Sequence, residues 1–169
     1  MSCNVLNMSF FDIFHELKVC TKDGDIRQNY EENFEGILLG DRLKQVLLWE
    51  EYEDIEAWDT IHQDKYQQEF IFKLFQHIAV GGSVCQYEDN IGEYLACVKD
   101  LYKDLVSVAK DPDTQEIKCF SYVFRIDSIE GYDKYLYRVP DHPQNCFYVA
   151  VDPINWHANF FYHKWVPHW

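Results

Sequence analysis

Seven histidines and six cysteines give this chain enough ligands for a metal site, but their spacing does not favour one. A structural zinc site is usually built from two close pairs of ligands, each held on one turn or knuckle. Here only His142 and Cys146 approach such a spacing. His157 and His163 share one face of a predicted strand but lie about 20 Å apart by strand rise. The sequence therefore predicts no metal centre and no cofactor.

Cys85 is the cysteine best placed to act as a nucleophile, since it follows Gly81-Gly82-Ser83 in a flexible loop. A catalytic thiol needs a base beside it and a third group that orients the base. Neither a Gly-x-Ser-x-Gly elbow nor a family-specific cysteine signature accompanies Cys85, and such residues are more often buried, inert thiols. The alternative function is a small-molecule-binding domain or a weak cysteine-dependent enzyme, with a histidine brought near Cys85 by folding.

The glycines Gly81 and Gly82 are better explained by the end of a helix than by a phosphate-binding loop. They are followed by neither the Lys-Ser/Thr end of a P-loop nor a Gly-x-Gly-x-x-Gly pattern. Carboxylates are abundant, so a pair at helical spacing such as Asp100 and Asp104 arises by chance and does not nominate a general acid and base. We therefore expect no catalytic residues and no enzymatic activity.

The chain is strongly acidic, with 15 basic and 29 acidic residues and a formal charge of −14. A surface of this sign repels phosphate backbones and anionic lipid heads, which argues against nucleic acid and membranes as partners. Between Asp23 and Glu69, 14 acidic and four basic residues give a net charge of −10 over 47 positions. That stretch is either a solvated face or a surface that selects a basic partner.

Targeting signals and disulfides are not apparent in the sequence. No apolar run approaches the roughly 20 residues that cross a bilayer, and the first residues lack the basic flank and apolar stretch of a secretory signal. The cysteines are scattered, as expected of reduced thiols in the cytosol. At 169 residues, nearly half of them apolar, the chain is long enough for a core, and we assign residues 1–169 to one domain.

Apolar residues recur at three- and four-residue steps in the first two thirds of the chain, which predicts helices. A short helix capped by Ser9 spans Phe10 to Lys18, and a polar loop follows from Cys20 to Asn33. The acidic stretch 50–58 contains another short helix. Longer helices are predicted over three ranges, the first with Asp41 in its first turn and the second ended by Gly81-Gly82: 38–49, 64–80 and 91–105.

The apolar period changes from 3.6 to 2 near residue 105, which predicts strands. Two hairpins are expected, 105–109 with 117–126 and 146–151 with 156–165. One face of the strand 117–126 is aromatic and apolar, which indicates a sheet with one face inside and one partly wet: Phe120, Tyr122, Phe124 and Ile126. The fold class is α+β, with N-terminal helices (about 9–104) packed on one face of a C-terminal antiparallel sheet (about 105–169).

The loop after the second long helix is our candidate partner-binding site. Its residues are Gly81, Gly82, Gln86, Tyr87, Glu88 and Asp89. These polar groups follow a helix stop, where packing alone does not require them. A loop held by internal hydrogen bonds explains the same side chains equally well.

The C-terminal end of the chain is rich in large aromatic residues: Trp156, Phe160, Tyr162, Trp165 and Trp169. In a β-rich region such residues usually complete the core. If they are exposed instead, they resemble the Trp and Tyr anchors that dominate protein interfaces.

Several strings of this sequence are long enough to compare with known families. They are Met8-Ser9-Phe10-Phe11, the run from Phe75 to Asp89, the run from Leu101 to Val108, and Val151-Asp152-Pro153 with Tyr162-His163. Gly-Gly-x-x-Cys-Gln-Tyr-Glu-Asp and Tyr-Lys-Asp-Leu-Val-Ser-Val are unusual strings, and the order is kept over nearly the whole chain. Together they resemble the family of cilia- and flagella-associated protein 300.

That resemblance implies a non-enzymatic factor that helps the outer and inner dynein arms of motile cilia to be assembled and delivered. The implied partners are kintoun, a PIH-domain assembly factor, together with axonemal dynein subunits and the intraflagellar transport machinery. The implied location is the cytoplasm and the axoneme of the cilium or flagellum. Members of the family have a further segment before the Met8-Ser9-Phe10-Phe11 string, so we expect a truncated or short form here.

A static component of the axoneme is a third class of function. It predicts that the protein remains on salt-washed axonemes, whereas an assembly factor is extracted with the soluble fraction.

Overall fold

A computed structural model describes residues 1–50, 55–81, 87–132 and 136–166 of the chain. A 3₁₀ helix, Met8–Asp12, is followed by α1 (Ile13–Glu16), α2 (Arg42–Leu48), α3 (Ile55–Ile61), α4 (Asp64–Gln67), α5 (Phe70–Val80) and α6 (Ile91–Leu105). The strands are β1 (Gln28–Phe34), β2 (Ile37–Asp41), β3 (Val108–Lys110), β4 (Ile117–Cys119), β5 (Tyr122–Arg125), β6 (Cys146–Asp152) and β7 (His157–His163). Helices with antiparallel strands, mostly after α6, confirm the α+β fold class.

The strands form two hairpins and one larger sheet, all of them antiparallel. Strand β1 pairs with β2, β3 pairs with β4, and β6 lies between β5 and β7 in the three-stranded sheet. The three-stranded sheet turns Val123, Tyr148 and Ala150 toward the helices, and all three are buried. Helix α5 packs on this side, with the ring of Phe70 centred 5.3 Å from that of Tyr148. The helices thus lie on one face of this sheet.

A cluster of phenylalanines forms the centre of the helical core. Phe11, Phe14, Phe72 and Phe75 are each at most 1% exposed, and their ring centroids lie 4.9 to 6.5 Å apart. Phe11 and Phe14 come from the N-terminal helices and the other two from α5. Burial of such rings is the main favourable contribution to folding, so the N-terminal segment is an integral part of the core.

The predictions for the N-terminal half give helices but miss the β1–β2 hairpin and several boundaries. The helix expected over Phe10 to Lys18 begins as a 3₁₀ helix, and its cap is Asn7, whose side chain accepts from Ser9 N. The loop expected over 20–33 already enters β1 at Gln28. The helix expected over 38–49 is a strand as far as Asp41, which caps α2 by accepting from Lys44 N at 2.8 Å.

The helix predicted over 64–80 is interrupted near Glu69, between α4 and α5. Ser2 takes the backbone groups there: its N–H donates to Gln68 O at 2.8 Å, and its carbonyl accepts from Phe70 N at 2.9 Å. The Glu69 carboxylate accepts from the backbone N–H groups of Asn4 and Val5 at 3.1 and 3.4 Å. A distant segment therefore breaks a helix that local periodicity predicts as continuous.

From residue 91 onward, the helix 91–105 and the second hairpin are confirmed, but the first hairpin is wrong in its extent. Leu105 still belongs to α6, and β3 pairs only with β4. The chain bends at Phe120 and Ser121, where Ser121 Oγ accepts from Ser107 N at 2.9 Å. After this bend β5 joins β6 instead of continuing the hairpin.

Candidate functional site

The predicted binding loop begins where α5 ends and is described only at its two ends. Gly81 has φ of 72°, a conformation that favours glycine, and its N–H donates to His77 O at 2.9 Å. Gly82 and Gln86, and also Cys85, lie outside the described residues. Tyr87, Glu88 and Asp89 are exposed.

The described part of the loop is anchored through its backbone. Glu88 N donates to the hydroxyl of Tyr94 at 2.9 Å, and Asp89 O accepts from Ile26 N at 2.7 Å. These bonds show why the backbone is fixed, and they leave the carboxylates of Glu88 and Asp89 at the surface. Internal hydrogen bonds thus account for the backbone of these residues, and Asp89 Oδ1 also accepts from Gln28 Nε2 at 3.5 Å.

A buried ion pair lies beneath Tyr87. Lys44 and Asp41 are both nearly inaccessible, and Lys44 Nζ contacts Asp41 Oδ2. The same ammonium lies 3.9 Å from the centre of the Tyr87 ring, a cation–π contact. The Tyr87 ring, 47% exposed, is therefore positioned by α2.

The β1–β2 hairpin carries part of the acidic stretch predicted from the sequence. Glu31, Glu32 and Glu35 are exposed, and Tyr30 is 87% exposed. The hairpin is held to α2 by the buried amide of Gln45, which accepts from Asn29 Nδ2 at 2.7 Å and donates to two backbone carbonyls. An acidic surface on a fixed hairpin is suited to a basic partner.

The largest unexpected feature is the side of the three-stranded sheet that faces away from the helices. Register places eight apolar residues there, which we call the outer sheet face: Tyr122, Phe124, Phe147, Val149, Val151, Ala158, Phe160 and Tyr162. Tyr122, Phe124 and Phe160 are 63%, 53% and 63% exposed. Contiguous exposed patches of this kind mark interaction surfaces in soluble proteins.

This face overturns the expectation that the aromatic residues of the C-terminal strands complete the core. Tyr122 and Phe124 share a face as predicted, but Val123 is the buried residue of β5, at 3% exposure. Trp156 is 91% exposed, while Trp165 stacks on His142 with ring centroids 4.0 Å apart. Trp169 lies outside the described residues. The sequence of β6 could have indicated this second apolar face. It is apolar at consecutive positions, as expected of a strand that is covered on both sides.

A polar cleft of about 330 Å³ lies between α5 and the end of the sheet. Burial, aided by the charge of Arg125, lowers the pKa of Lys73 there to about 8. Arg125 Nε contacts Asp127 Oδ1 at 2.6 Å. Since the cleft gathers polar groups, it is the feature that best fits the small-molecule alternative.

The Cys146 thiol and the His77 imidazole, which both line this cleft, are not activated. Burial raises the pKa of Cys146 to about 11, so its thiol stays protonated at neutral pH. Burial, with the charges of Lys73 and Arg125, lowers the pKa of His77 to about 3, and its Nε2 lies 3.0 Å from the hydroxyl of Tyr148. His77 is therefore neutral and engaged with Tyr148.

A second thiol and imidazole lie together near the N-terminus. Cys20 Sγ is 3.3 Å from His15 Nδ1, but that nitrogen is also 2.8 Å from Thr21 O. A carbonyl only accepts, so Nδ1 carries a proton and cannot take one from the thiol. Burial also raises the pKa of Cys20, which leaves it a poor nucleophile.

Clusters of metal ligands and membrane-spanning helices are both absent from the described part of the chain. No group of three or more His, Cys, Asp or Glu residues within it could hold a metal ion. The five cysteines in these ranges are free thiols: Cys3, Cys20, Cys97, Cys119 and Cys146. In the same ranges, no helix is both long and apolar enough to cross a membrane.

Comparison with known proteins gives a family but no structural relative. The family model described as cilia- and flagella-associated protein 300 matches residues 1–163. The chain belongs to this family. No solved structure matches the chain.

Two curated relatives share the description cilia- and flagella-associated protein 300. The one from Chlamydomonas reinhardtii is 34% identical over 172 residues, and the one from Paramecium tetraurelia is 36% identical over 170 residues. Each match covers the whole of this chain but only 65% and 63% of the respective relative. The name of the family associates the chain with cilia and flagella.

Residues in two of the strings that resemble the cilia- and flagella-associated protein 300 family make hydrogen bonds that hold the fold together. Asp152 of Val151-Asp152-Pro153 organises the turn between β6 and β7 by accepting from Ile154 N at 2.7 Å and Asn155 N at 2.9 Å. Tyr162 donates to Leu136 O at 2.6 Å at one corner of the outer sheet face. Family strings thus lie close to that face as well as in the loop.

Proposed function

We propose that the chain is a non-enzymatic adaptor that binds other proteins during the assembly of axonemal dynein arms. It acts on outer and inner arms, in cytoplasmic assembly and in delivery to the cilium, and is required for motility. Membership of a family associated with cilia and flagella supports the setting. The single observation that carries protein binding is the exposed outer sheet face, with its aromatic residues Tyr122, Phe124 and Phe160.

The proposed partners are kintoun or a similar PIH-domain assembly factor, axonemal dynein subunits and the intraflagellar transport machinery. The formal charge of −14 disfavours nucleic acid and anionic membranes. The proposed location is the cytoplasm and the axoneme of the motile cilium or flagellum. These proposals concern the whole protein, and the chain spans 63% to 65% of the length of the two relatives named above.

The absence of enzymatic activity is part of the proposal. It is supported by the state of the thiol–imidazole groups in the described residues. Cys146 has a raised pKa, the imidazole of His77 is engaged with Tyr148, and His15 Nδ1 is committed to a backbone carbonyl. Catalysis by a cysteine needs the opposite arrangement, a thiol beside a base that is free to take its proton.

Affinity purification from ciliating cells tests the adaptor function. The bait is the full chain, compared with a variant carrying Phe124→Ser and Phe160→Ser on the outer sheet face. We expect the wild-type chain to retain dynein subunits and assembly factors from the soluble fraction, and the variant to lose them. Retention of the same proteins by both baits would remove the outer sheet face as the binding surface. If neither bait retained dynein or assembly factors, the adaptor proposal itself would fail.

The loop is tested by the matched variant Tyr87→Ala with Glu88→Ala. Both side chains are exposed, so the fold should remain intact. Loss of kintoun binding in calorimetry would assign the loop a share of the interface. Unchanged affinity with an unchanged unfolding midpoint would leave Gly81 to Asp89 as a structural loop.

A small-molecule-binding domain is the second candidate function, favoured by the polar cleft beside Lys73. Thermal unfolding of the wild type and of Lys73→Met in increasing citrate and inorganic phosphate tests it. A rise in melting temperature that depends on Lys73 would support this candidate. Equal curves for the two proteins would argue against an anion site in the cleft.

A further inference from the structure

Within the part of the chain that the structure describes, the three-stranded sheet has a covering layer on one side only. On its inner side, Val123, Tyr148 and Ala150 are buried against the helices. On its outer side, Phe124 and Phe160 flank Val149 in register and remain more than half exposed. Domains bury an apolar sheet face under another layer, so the outer sheet face lacks a layer that apolar side chains would favour.

We propose that the outer sheet face is the docking site of an amphipathic helix, about four turns long and basic on its polar side, from a partner protein. This inference rests on the adaptor function proposed above and names the chemistry of the partner. A helix would lie along the strands, with its apolar stripe on Phe124, Val149 and Phe160. Helices cover sheets in this way in layered domains.

The dimensions of the outer sheet face fit one helix. Strands β6 and β7 have seven residues each, which corresponds to about 24 Å at about 3.4 Å per residue. A helix of about 16 residues has the same length. Three strands are about 14 Å across, and a helix with its side chains is about 10 to 12 Å in diameter. One helix therefore covers most of the face.

A second copy of this chain fits the same face less well. Since β5 has only four residues, the outline of the face is at most about 24 by 14 Å, or about 340 Å², whereas a stable interface buries about 800 Å² on each partner. A symmetric dimer through this face alone would be less than half the usual size. A smaller interface suits a transient contact with a client, which an assembly factor has to release.

Trp156 and Tyr137 mark the two ends of the proposed site. At one end, Trp156 is 91% exposed beside a shallow depression of about 450 Å³ lined by Val151 and Ala158. At the other end, the face is already closed by Tyr137, which stacks on Tyr162 with centroids 6.2 Å apart. The helix therefore lies between Tyr137 and Trp156, and Trp156 is placed to close over its end.

The negative net charge of the chain favours basic residues on the polar side of the proposed helix. The chain carries a formal charge of −14, so its field attracts cationic partners and repels anionic ones at long range. Lysines and arginines on the polar side would increase the rate of association, and this contribution falls as salt is added. An acidic amphipathic helix of equal hydrophobicity is expected to bind more weakly.

Site-specific photo-crosslinking tests the inference in the full chain expressed in ciliating cells. Benzoylphenylalanine replaces Phe160 on the outer sheet face, and in a control it replaces Ile117, which is 57% exposed on the β3–β4 hairpin. We expect position 160, and not 117, to cross-link one segment of another protein. That segment should have apolar residues at helical spacing over about four turns and Lys or Arg opposite them. A synthetic peptide of that segment should gain helicity on adding the wild-type chain.

Each of the other outcomes would contradict the proposal that a helix docks on the outer sheet face. Cross-links to a second copy, to another part of the same chain, or to a segment of alternating apolar residues would assign the face to a different occupant. No cross-link at position 160 would mean that nothing docks there. If affinity purification still retained dynein assembly factors in that case, the adaptor function would stand without this docking site.

Discussion

Asp152 shows how a single side chain holds the sheet that carries the proposed site. Its carboxylate, 2% exposed, accepts from Ile154 N, Asn155 N and Asn155 Nδ2 at 2.7 to 2.9 Å. A hydrogen bond from the Ser107 side chain, followed by those from Asn155 and Ile154, holds the pKa of Asp152 far below its usual range. The charged form is thus the one that the folded state requires.

A lowered pKa predicts a defined loss of stability in acid. The unfolded chain binds the proton first, so the contribution of Asp152 is complete above the unfolded pKa, about 3.9, and is lost as the pH falls through the folded pKa. Asp152→Asn should therefore cost more stability at pH 6 than at pH 3 in urea unfolding. The control is Asp100→Asn, at an exposed pair with Lys103, which should change little at either pH. An equal cost of Asp152→Asn at both pH values would contradict this role.

Among the cysteines in the described residues, Cys119 has a lowered pKa. A hydrogen bond from the Cys3 thiol is the main reason that the pKa of Cys119 falls to about 7. We expect iodoacetamide at pH 7 to label the partly exposed Cys119 well before the buried Cys146. Cys3→Ala removes the donor and should slow the labelling of Cys119 several-fold, whereas Cys3→Ser keeps a donor and should not. Peptide mass spectrometry measures both, and equal rates in the two variants would rule out this cause.

At the scale of elements, the start of helix α6 and the distant loop 23–26 depend on a close approach between Gly24 and the side chain of Asn90. Gly24 has φ of 91°, and a Cβ there would lie 2.8 Å from Asn90 Oδ1. The same oxygen caps α6 by accepting from Gly92 N at 2.9 Å. Asn90 also donates to Asp23 O at 3.0 Å, so the cap of α6 fixes the loop over 23–26 next to the predicted binding loop.

Two glycine substitutions separate this close approach from backbone strain. Gly36 has φ of 84°, and a Cβ at this position would meet nothing within 4 Å, so Gly36→Ala should cost about 1 kcal/mol through strain alone. Gly24→Ala adds the displacement of Asn90, and loss of a helix cap typically costs about 1 kcal/mol more. Urea unfolding of both variants measures the difference. Equal costs would mean that Asn90 moves aside freely.

Local patterns in the sequence predicted the elements that are stabilised by their own periodicity. Helix α6 and the β6–β7 hairpin are confirmed, because each has a strong apolar period and an unambiguous cap or turn. Strand β1 was missed because all but its last residue is exposed, and it is held from outside by the buried amide of Gln45. The interruption at Glu69 was missed for a similar reason, since its partners, Ser2 and Asn4, are more than 60 residues away in the chain.

The candidate site was predicted less well than the elements. Tyr87, Glu88 and Asp89 are exposed as the loop hypothesis requires, and their role in binding stays a prediction. The grouping of Tyr122 with Phe124 on one face is right, but that face points away from the core. Periodicity gives the grouping of side chains on a strand, whereas the covered side depends on where the helices pack.

At the scale of the whole molecule, the fold separates apolar side chains into two populations. The phenylalanines around Phe14 and Phe75 stabilise the core, whereas Phe124 and Phe160 leave more than half of their surface in water. A substitution in the first group, such as Phe14→Ala, should cost about 3 to 5 kcal/mol. The double variant Phe124→Ser with Phe160→Ser should leave the midpoint of urea unfolding nearly unchanged. A large loss of stability in the double variant would show that the outer sheet face serves folding rather than binding.

Calorimetric titration of kintoun into this chain tests whether the outer sheet face binds a partner protein. The wild type is compared with the Phe124→Ser/Phe160→Ser variant, after urea unfolding has shown that the two proteins are equally stable. The Tyr87→Ala/Glu88→Ala variant tests whether the loop contributes to binding. We expect the wild type to bind kintoun and the outer-face variant to lose at least tenfold in affinity, about 1.4 kcal/mol. Binding of equal strength by the wild type and the outer-face variant would contradict this expectation.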